Sequence, residues 1–342
     1  ELESAGIRAF GPRANAAELE GSKAFAKDLM KKYGIPTARY EVFTEAEPAR
    51  AYIRKEGAPI VVKADGLAAG KGVIVAMSEQ EALDAIDAIM EDNTFGKAGT
   101  RVVIEEFMEG EEASLLAFTD GKIIRPMISA QDHKRALDGD KGPNTGGMGT
   151  YAPAPVMTPE MTERATEEIL KPTIAAMAKE GRVYRGCLYL GLMITKDGPK
   201  VVEFNARFGD PETQVVLPLL DGDLVEIMCA CTDGSLAEVP IRWKDGAAVC
   251  VVIAAGGYPA AYEKGHEICG IEAAERMGAL VFHAGTAEKS GRLVTNGGRV
   301  LGVVGLGDDI PAAVRTAYTA VDQISFKEAF YRKDIAHRAL YR

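Results

Sequence analysis

Residues 22–33, SKAFAKDLMKKY, place Phe25, Leu29 and Tyr33 at four-residue intervals, the spacing of one side of a helix. Gly34 and Pro36 should stop that helix. A short strand at 38–43 and a helix near 45–56 follow, and then the apolar run APIVVKAD supplies a buried strand at 59–64. A glycine-rich stretch separates it from a second apolar strand at 73–76. Ser78 and Glu81 have capping-box spacing, which predicts a helix running to about Met90. A strand at 101–107 follows, and 113–119 with 122–128 reads as a hairpin around Asp120–Gly121.

Residues 129–157 break this rhythm: they are polar and glycine-rich, and they read as one long loop, a length that compact domains keep for a purpose. Thr158 and Pro159 start a helix that Pro172 should bend or interrupt. Two paired strands at 186–195 and 200–206 turn around Asp197–Gly198, and Asp210 with Pro211 should open another helix in the same cap-then-proline manner. Beyond a boundary near 235–245, strands at 247–257, 279–285 and 291–307 and a helix after Pro311 form a separate α/β or α+β unit. Asn296–Gly297 predicts a type I′ hairpin between two of these strands. Residues 2–12 read as the end of a helix, a glycine turn, a short strand and a Gly-Pro exit, the tail of a unit that begins earlier.

Composition narrows the function classes. Lys and Arg number 40 against 50 Asp and Glu, a net charge of -10 that disfavours nucleic-acid partners while local basic clusters can still hold a phosphorylated small molecule. The apolar runs are too short to span a membrane and the start is not signal-like, so neither membrane nor secreted readings fit. Cys187, Cys229, Cys231, Cys250 and Cys269 form no CxxC pair and sit mostly in apolar runs; they read as reduced thiols of a cytoplasmic protein.

Three constellations carry candidate chemistry. The first is the segment 63–72, KADGLAAGKG, set between two strands. It is not a P-loop, because Gly72 stands where Ser or Thr is required and no helix follows. Gly66, Ala68, Ala69, Gly70 and Gly72 describe a lid hairpin whose N–H groups can approach phosphates, with Lys63 and Lys71 adding charge; a mobile surface hairpin is the plainer alternative. The second is Glu203-Phe204-Asn205 with Arg207. Period-two geometry puts Glu203 and Asn205 on one face, two oxygen donors suited to Mg²⁺, while Val202 and Phe204 enter the core. Arg207 can hold a migrating phosphoryl group or a carboxylate, and Asp210-Pro-Glu-Thr should bring free helix N–H groups to the same strand end. The third is 102–108, VVIEEFM, which can line adenine while Glu111 or Glu112 accepts from ribose; an ordinary strand is the alternative. His133, beside Asp132, Lys134 and Arg135, can bind an anion, whereas His266, His283 and His337 read as structural or exposed. No Gly-x-Ser-x-Gly elbow is present.

On five stretches the chain resembles the ATP-grasp superfamily and, more narrowly, the phosphoribosylamine–glycine ligase family, also called glycinamide ribonucleotide synthetases. They are 11–38, VVKADGLAAGKGVIVA at 61–76, VVIEEFMEGEEASLLAF at 102–118, QDHKRALDGDKGPNTGGMGTYAP at 131–153 and VVEFNARFGDPETQ at 201–214; 330–340 resembles the family's closing segment. The resemblance implies an α+β / α/β chain: an ATP-grasp fold over 21–238 with a small mobile lid at about 41–108, a C-terminal α+β domain over 239–342, and 1–20 as the remnant of an N-terminal α/β domain. It implies ligation of glycine to 5-phospho-β-D-ribosylamine with ATP and Mg²⁺ or Mn²⁺, by a monomer, with a dimer left open.

Residue by residue, the resemblance puts Lys23 and Lys63 at the nucleotide phosphates with Gly70, Lys71 and Gly72 closing over them. Glu105, Glu106, Phe107 and Met108 flank adenine, and Glu112 faces ribose. Glu203 and Asn205 hold the metal, and Arg207 meets the transferred phosphoryl group. Asp132, His133, Lys134, Arg135, Asn144, Thr145, Gly146, Gly147, Met148, Gly149, Asp210 and Glu212 border glycine and the acyl intermediate. Two departures stand out: the family's glycine-rich N-terminal segment is not in this sequence, and strand 188–195 offers no second metal carboxylate. Other ATP-grasp carboxylate–amine ligases, a biotin carboxylase-like enzyme, and a nucleotide-binding fragment without turnover stay open at this point.

Overall fold

The computed structural model describes residues 2–66, 72–92 and 96–341, the side chain of Lys97 apart. Two helices lead, α1 (Ala14–Gly21) and α2 (Lys23–Tyr33). Ser22 separates them: its extended backbone ends the first, and its hydroxyl accepts from Phe25 N, one of the donors the second helix leaves free. Gly34, at φ 68°, closes α2 in the left-handed conformation that a Cβ disfavours.

Four strands form the first sheet: β1 (Tyr40–Phe43), β2 (Ile60–Ala64), β3 (Val73–Ala76) and β4 (Val102–Glu106), in the order β1-β4-β2-β3 and antiparallel throughout. Helices α3 (Ala46–Glu56) and α4 (Glu79–Ile86) pack on it around Ile53, Val62, Ile86 and Ile104. Ser78 caps α4 as predicted, its Oγ accepting from Glu81 N, while the Glu81 carboxylate reaches back one residue further than a capping box, to Met77 N. The antiparallel β2–β3 pair is the strand–loop–strand frame expected of the glycine-rich segment; Gly70 and Lys71 lie outside the described residues.

The chain then enters a second sheet through β5 (Glu111–Thr119) and β6 (Ile124–Pro126), hairpin-paired around Asp120–Gly121. The predicted long loop is where the structure departs most from the sequence reading. It contains β7 (Gln131–Asp132), β8 (Arg135–Leu137), β9 (Lys141–Asn144) and β10 (Gly149–Ala152). Strands β7 and β10 show no hydrophobic alternation because distant partners, not their own sequence, cover them, while β8 and β9 pair only with each other and β9 is exposed throughout. Pro172 acts as expected: it has no N–H for the Glu168 carbonyl, and a wide π-type turn over Thr166–Leu170 joins α5 (Pro159–Ala165) to α6 (Lys171–Lys179).

Strands β11 (Gly186–Thr195) and β12 (Gly198–Asn205) complete the second sheet, ordered β12-β11-β5-β6. A bulge corrects one expectation here: Gly191 faces Glu203 but Leu192 faces Val201, so Val202 is left unopposed. Val201 and Phe204 are buried in the core, and Val202 is not.

The predicted helix at Asp210 is also corrected. What forms is the four-residue α7 (Thr213–Val216), because Asp210 is held elsewhere and Pro218 lacks the N–H that would extend the ladder. After β13 (Leu220–Asp221), α8 (Leu224–Asp233) and β14 (Arg242–Trp243), the last part of the chain supplies β15 (Ala247–Ala254), α9 (Ile271–Arg276), β16 (Leu280–His283), β17 (Thr286–Lys289), β18 (Arg292–Thr295), β19 (Arg299–Gly307), α10 (Ile310–Val321) and α11 (His337–Leu340).

The five-stranded sheet β16-β19-β15-β10-β7 thus draws its strands from both sides of residue 238. Asn296–Gly297 does not make the predicted hairpin: β18 pairs with β17, and β19 runs between β15 and β16. The long apolar run of β19 finds more burial between two strands than a two-strand turn could offer.

Candidate active site

Lys63 is the next-to-last residue of β2 and Glu105 lies in β4. In the β2–β4 register Lys63 stands opposite Val103, so Glu105 is its diagonal neighbour on the same face. The Lys63 Nζ–Glu105 Oε1 distance is 2.9 Å. From α2, Lys27 Nζ reaches the other carboxylate oxygen at 3.0 Å and donates to Thr37 Oγ1 at 2.8 Å. All three charged groups are buried. Burial alone would raise Glu105, but Lys63 and Lys27 together hold it below its ordinary value. Lys27 is pushed down to about 8, mainly by burial, with Glu105 opposing. Lys23, one helical turn earlier, donates to Gly66 O at 3.0 Å, and burial followed by the Lys63 charge lowers it too.

This lysine cluster meets the second sheet directly. Lys63 Nζ donates to Val202 O at 3.1 Å, and Thr37 Oγ1 donates to Val201 O at 2.7 Å. The bulge that leaves Val202 unopposed also leaves its carbonyl free for Lys63. Next along the strand, Glu203 lines a narrow cleft with Glu112, Asp132, Lys134 and Tyr189. Opposite Glu203 the strand carries Gly191, where a Cβ would come within 3.1 Å of Glu203 Cγ; glycine makes the space for that carboxylate.

Charge within the cleft is dense. Lys134 Nζ lies 2.6 Å from Glu112 Oε2 and holds that carboxyl below its ordinary value. Asp132 and Glu112 in turn raise Lys134 well above its ordinary value against the cost of burial. Burial pushes Asp132 up to about 7, with Glu212, Glu112 and Glu203 adding to it and Lys134 opposing. Glu212 Oε1 accepts from Tyr189 OH at 3.0 Å and Ser114 Oγ at 3.2 Å.

The remaining predicted residues of the described chain do not line this cleft. The Glu105 carboxylate belongs to the lysines and that of Glu106 to Arg39, which it meets at 2.6 Å; Phe107 and Met108 follow half-buried. His133 is fully buried, its Nε2 accepting from Ala336 N at 3.0 Å, so the ring serves the C-terminal segment. Arg135 and Asn144 are exposed and face each other across β8 and β9. Thr145 donates to Lys134 O, and Met148 N donates to His133 O, folding 145–149 back onto β7. Asn205 is half-buried on the Glu203 side of β12. Arg207 is exposed, 3.5 Å from Glu20. Asp210 is bonded to Arg299. Among the described residues no three His, Cys, Asp or Glu side chains gather as a metal site. Glu203 and Asn205 nonetheless offer only oxygen, the donor set that Mg²⁺ and Mn²⁺ take, and two protein oxygens leave room for phosphate and water.

Sequence reasoning missed Lys27, Arg299 and the Tyr189–Ser114–Glu212 bonds. Lys27 stands four residues after Lys23, a weak hint of a shared face. Nothing local marks the other residues.

Comparison with known proteins identifies the family. Residues 21–213 match the family model of the phosphoribosylglycinamide synthetase ATP-grasp (A) domain, and 248–338 match that of its C domain. Phosphoribosylamine–glycine ligase of Vibrio parahaemolyticus is 55% identical over 342 residues, which is 100% of this chain and 80% of that protein. The crystal structure of phosphoribosylamine–glycine ligase from Thermotoga maritima matches with a TM-score of 0.89 at 43% identity, over 96% of this chain and 81% of that one. The biotin carboxylase domain of Hydrogenobacter thermophilus 2-oxoglutarate carboxylase, solved with MgADP, ADP and bicarbonate, matches at TM-score 0.74 and 18% identity, over 96% of this chain and 71% of that one, a likeness of fold. By its two family models and by this identity across its full length, the chain belongs to the phosphoribosylamine–glycine ligase family of ATP-grasp enzymes.

Proposed function

We propose that this chain ligates glycine to 5-phospho-β-D-ribosylamine at the expense of ATP, giving glycinamide ribonucleotide, ADP and phosphate in purine biosynthesis. The observation that carries the reading is the 3.1 Å bond from Lys63 to Val202 O, which brings the glycine-rich hairpin's lysine beside the Glu203–Asn205 face. Lys23 and Lys63 would hold the nucleotide phosphates and Arg207 the phosphoryl group in flight. Glu203 and Asn205 would hold Mg²⁺ or Mn²⁺, which when bound supplies charge screening on the phosphate oxygens.

Glycine's carboxylate oxygen attacks the γ-phosphorus, ADP leaves, and glycyl phosphate forms. The amine of phosphoribosylamine then attacks the acyl carbon, loses a proton and expels phosphate. A covered cleft keeps water from the acyl phosphate in between. Asp132 and Lys134, which line the cleft, and Glu212, bonded to its wall residues Tyr189 and Ser114, suit the polar ends of these two substrates. The same reading assigns nucleotide handling to 21–238, with its lid near 41–108, and leaves 239–342 as a C-terminal part. No helix among the described residues is long and apolar enough to cross a membrane. Work in the cytoplasm, as a monomer and without nucleic acid, belongs to the proposal.

The test is ADP release by the native protein and by Glu203→Ala, with glycine plus phosphoribosylamine and separately with bicarbonate plus biotin. Release should need the first pair and should fall on the order of a hundredfold in the variant, which should unfold at the same urea concentration as the native chain. Release that follows bicarbonate and biotin, or unchanged turnover in the variant at saturating Mg²⁺, would overturn the assignment.

A further inference from the structure

Arg299, the first residue of β19, lies outside the segments that carry the predicted site residues, yet its guanidinium bonds two of them. Nη1 donates to Gly146 O at 2.8 Å, to Gly147 O at 3.4 Å and to Asp210 O at 3.2 Å, and Nη2 donates to Asp210 Oδ2 at 3.2 Å. The two segments fit closely: a Cβ on Gly146 would lie 3.0 Å from Arg299 Cζ, and one on Gly147, at φ +112°, would lie 2.6 Å from Pro211 Cδ. From the same C-terminal part, Tyr258 OH accepts from Gly146 N at 3.2 Å.

Each clamped segment leads into the cleft. Residues 145–148 bond back to the backbone of His133 and of Lys134; Lys134 carries the cleft's ammonium, and Asp132 precedes His133. Two residues after Asp210, Glu212 is fixed by Tyr189 and Ser114. The nucleotide-side cluster of Lys23, Lys27, Lys63 and Glu105 is built from other elements, α2, β2 and β4.

We infer that Arg299 is a positioning residue through which the C-terminal part sets affinity for the small carboxylate and amine substrates, independently of ATP. This rests on the function proposed above. A planar guanidinium spreads five donors over three nitrogens and so reaches Gly146, Gly147 and Asp210 from one position, whereas an ammonium offers three donors from a single atom.

The experiment compares the native chain with Arg299→Met and Arg299→Lys, reading KM for glycine, phosphoribosylamine and ATP, kcat, the Kd of a non-hydrolysable ATP analogue, and the urea midpoint. In Arg299→Met, the KM of glycine or of phosphoribosylamine should rise on the order of ten- to hundredfold, since small displacements of a positioning shell cost that much. The analogue's Kd should stay within about twofold, and Arg299→Lys should recover part of the loss. Unchanged glycine and amine KM, or analogue binding weakened in step with them, would overturn the inference. Should Arg299→Met fail to fold, Arg299→Lys and Asp210→Asn decide it by the same split. A native chain that makes no ADP from glycine and phosphoribosylamine would instead sink the proposed function.

Discussion

Lys27 offers the sharpest physical test, because a buried ammonium leaves a signature in the pH dependence of stability. Its folded pKa, about 8, lies below the ordinary 10.5, chiefly through burial. A lysine shifted this way binds its proton less tightly when folded, so between these values the unfolded chain carries more protons and stability rises with pH. The gap between about 8 and 10.5 converts, at ~1.4 kcal/mol per pH unit, to about 3 kcal/mol. The side chain is 3% exposed, so solvent screening takes little from that figure.

Lys27→Met keeps the stem and removes the titrating group, while Glu105 retains Lys63 at 2.9 Å. Urea unfolding of both proteins, followed by circular dichroism between about pH 7 and 10.5, isolates the effect, since other titrating groups cancel in the difference. The native chain should gain about 3 kcal/mol on the variant, beginning near pH 8 and levelling off near 10.5. Parallel pH profiles would mean that the ammonium sits in water, and the buried Lys27–Glu105–Lys63 cluster would have to be abandoned.

Two further outcomes follow from the same packing. Ser22→Ala removes the hydroxyl that accepts from Phe25 N and donates to Asp65 Oδ1, and should cost about 1 kcal/mol in urea unfolding; no change would mean that α2 needs no cap. Under native conditions a maleimide should label the exposed Cys269 first and the half-buried Cys229 more slowly. Cys187, Cys231 and Cys250, buried and with burial pushing the Cys231 thiol up to about 12, should react only after unfolding; rapid native labelling of all five would contradict the core packing.

What could be read from the sequence were features whose cause is local. The cap at Ser78, the turn at Asp120–Gly121, the interruption of the α-helical ladder before Pro172 and the shared face of Glu203 and Asn205 follow from a few neighbouring residues. The errors have the opposite cause. Strands β7 and β10 carry no strand pattern because β15 and the rest of a distant sheet cover them. The Asn296–Gly297 turn has hairpin chemistry, but β19 is claimed by two other strands. The Asp210 carboxylate looks like a cap and is taken by Arg299, 89 residues away.

The acidic pair in β4 shows where that limit falls. Glu105 and Glu106 are adjacent, so strand geometry sends them to opposite faces, and this much the sequence dictates. Which one turns inward depends on parity, and the run VVIEE hides it, because burial extends from Val102 through Glu105 without alternation. Only pairing with β2 settles the matter: Lys63 opposite Val103 puts Glu105, and not Glu106, on the face where Lys27 also arrives. Shifting that register by one residue would put Glu106 among the lysines and turn Glu105 toward Arg39, leaving every local propensity unchanged. The identity of the lysines' counter-ion is therefore a property of the sheet, and no reading of residues 102–106 alone could assign it.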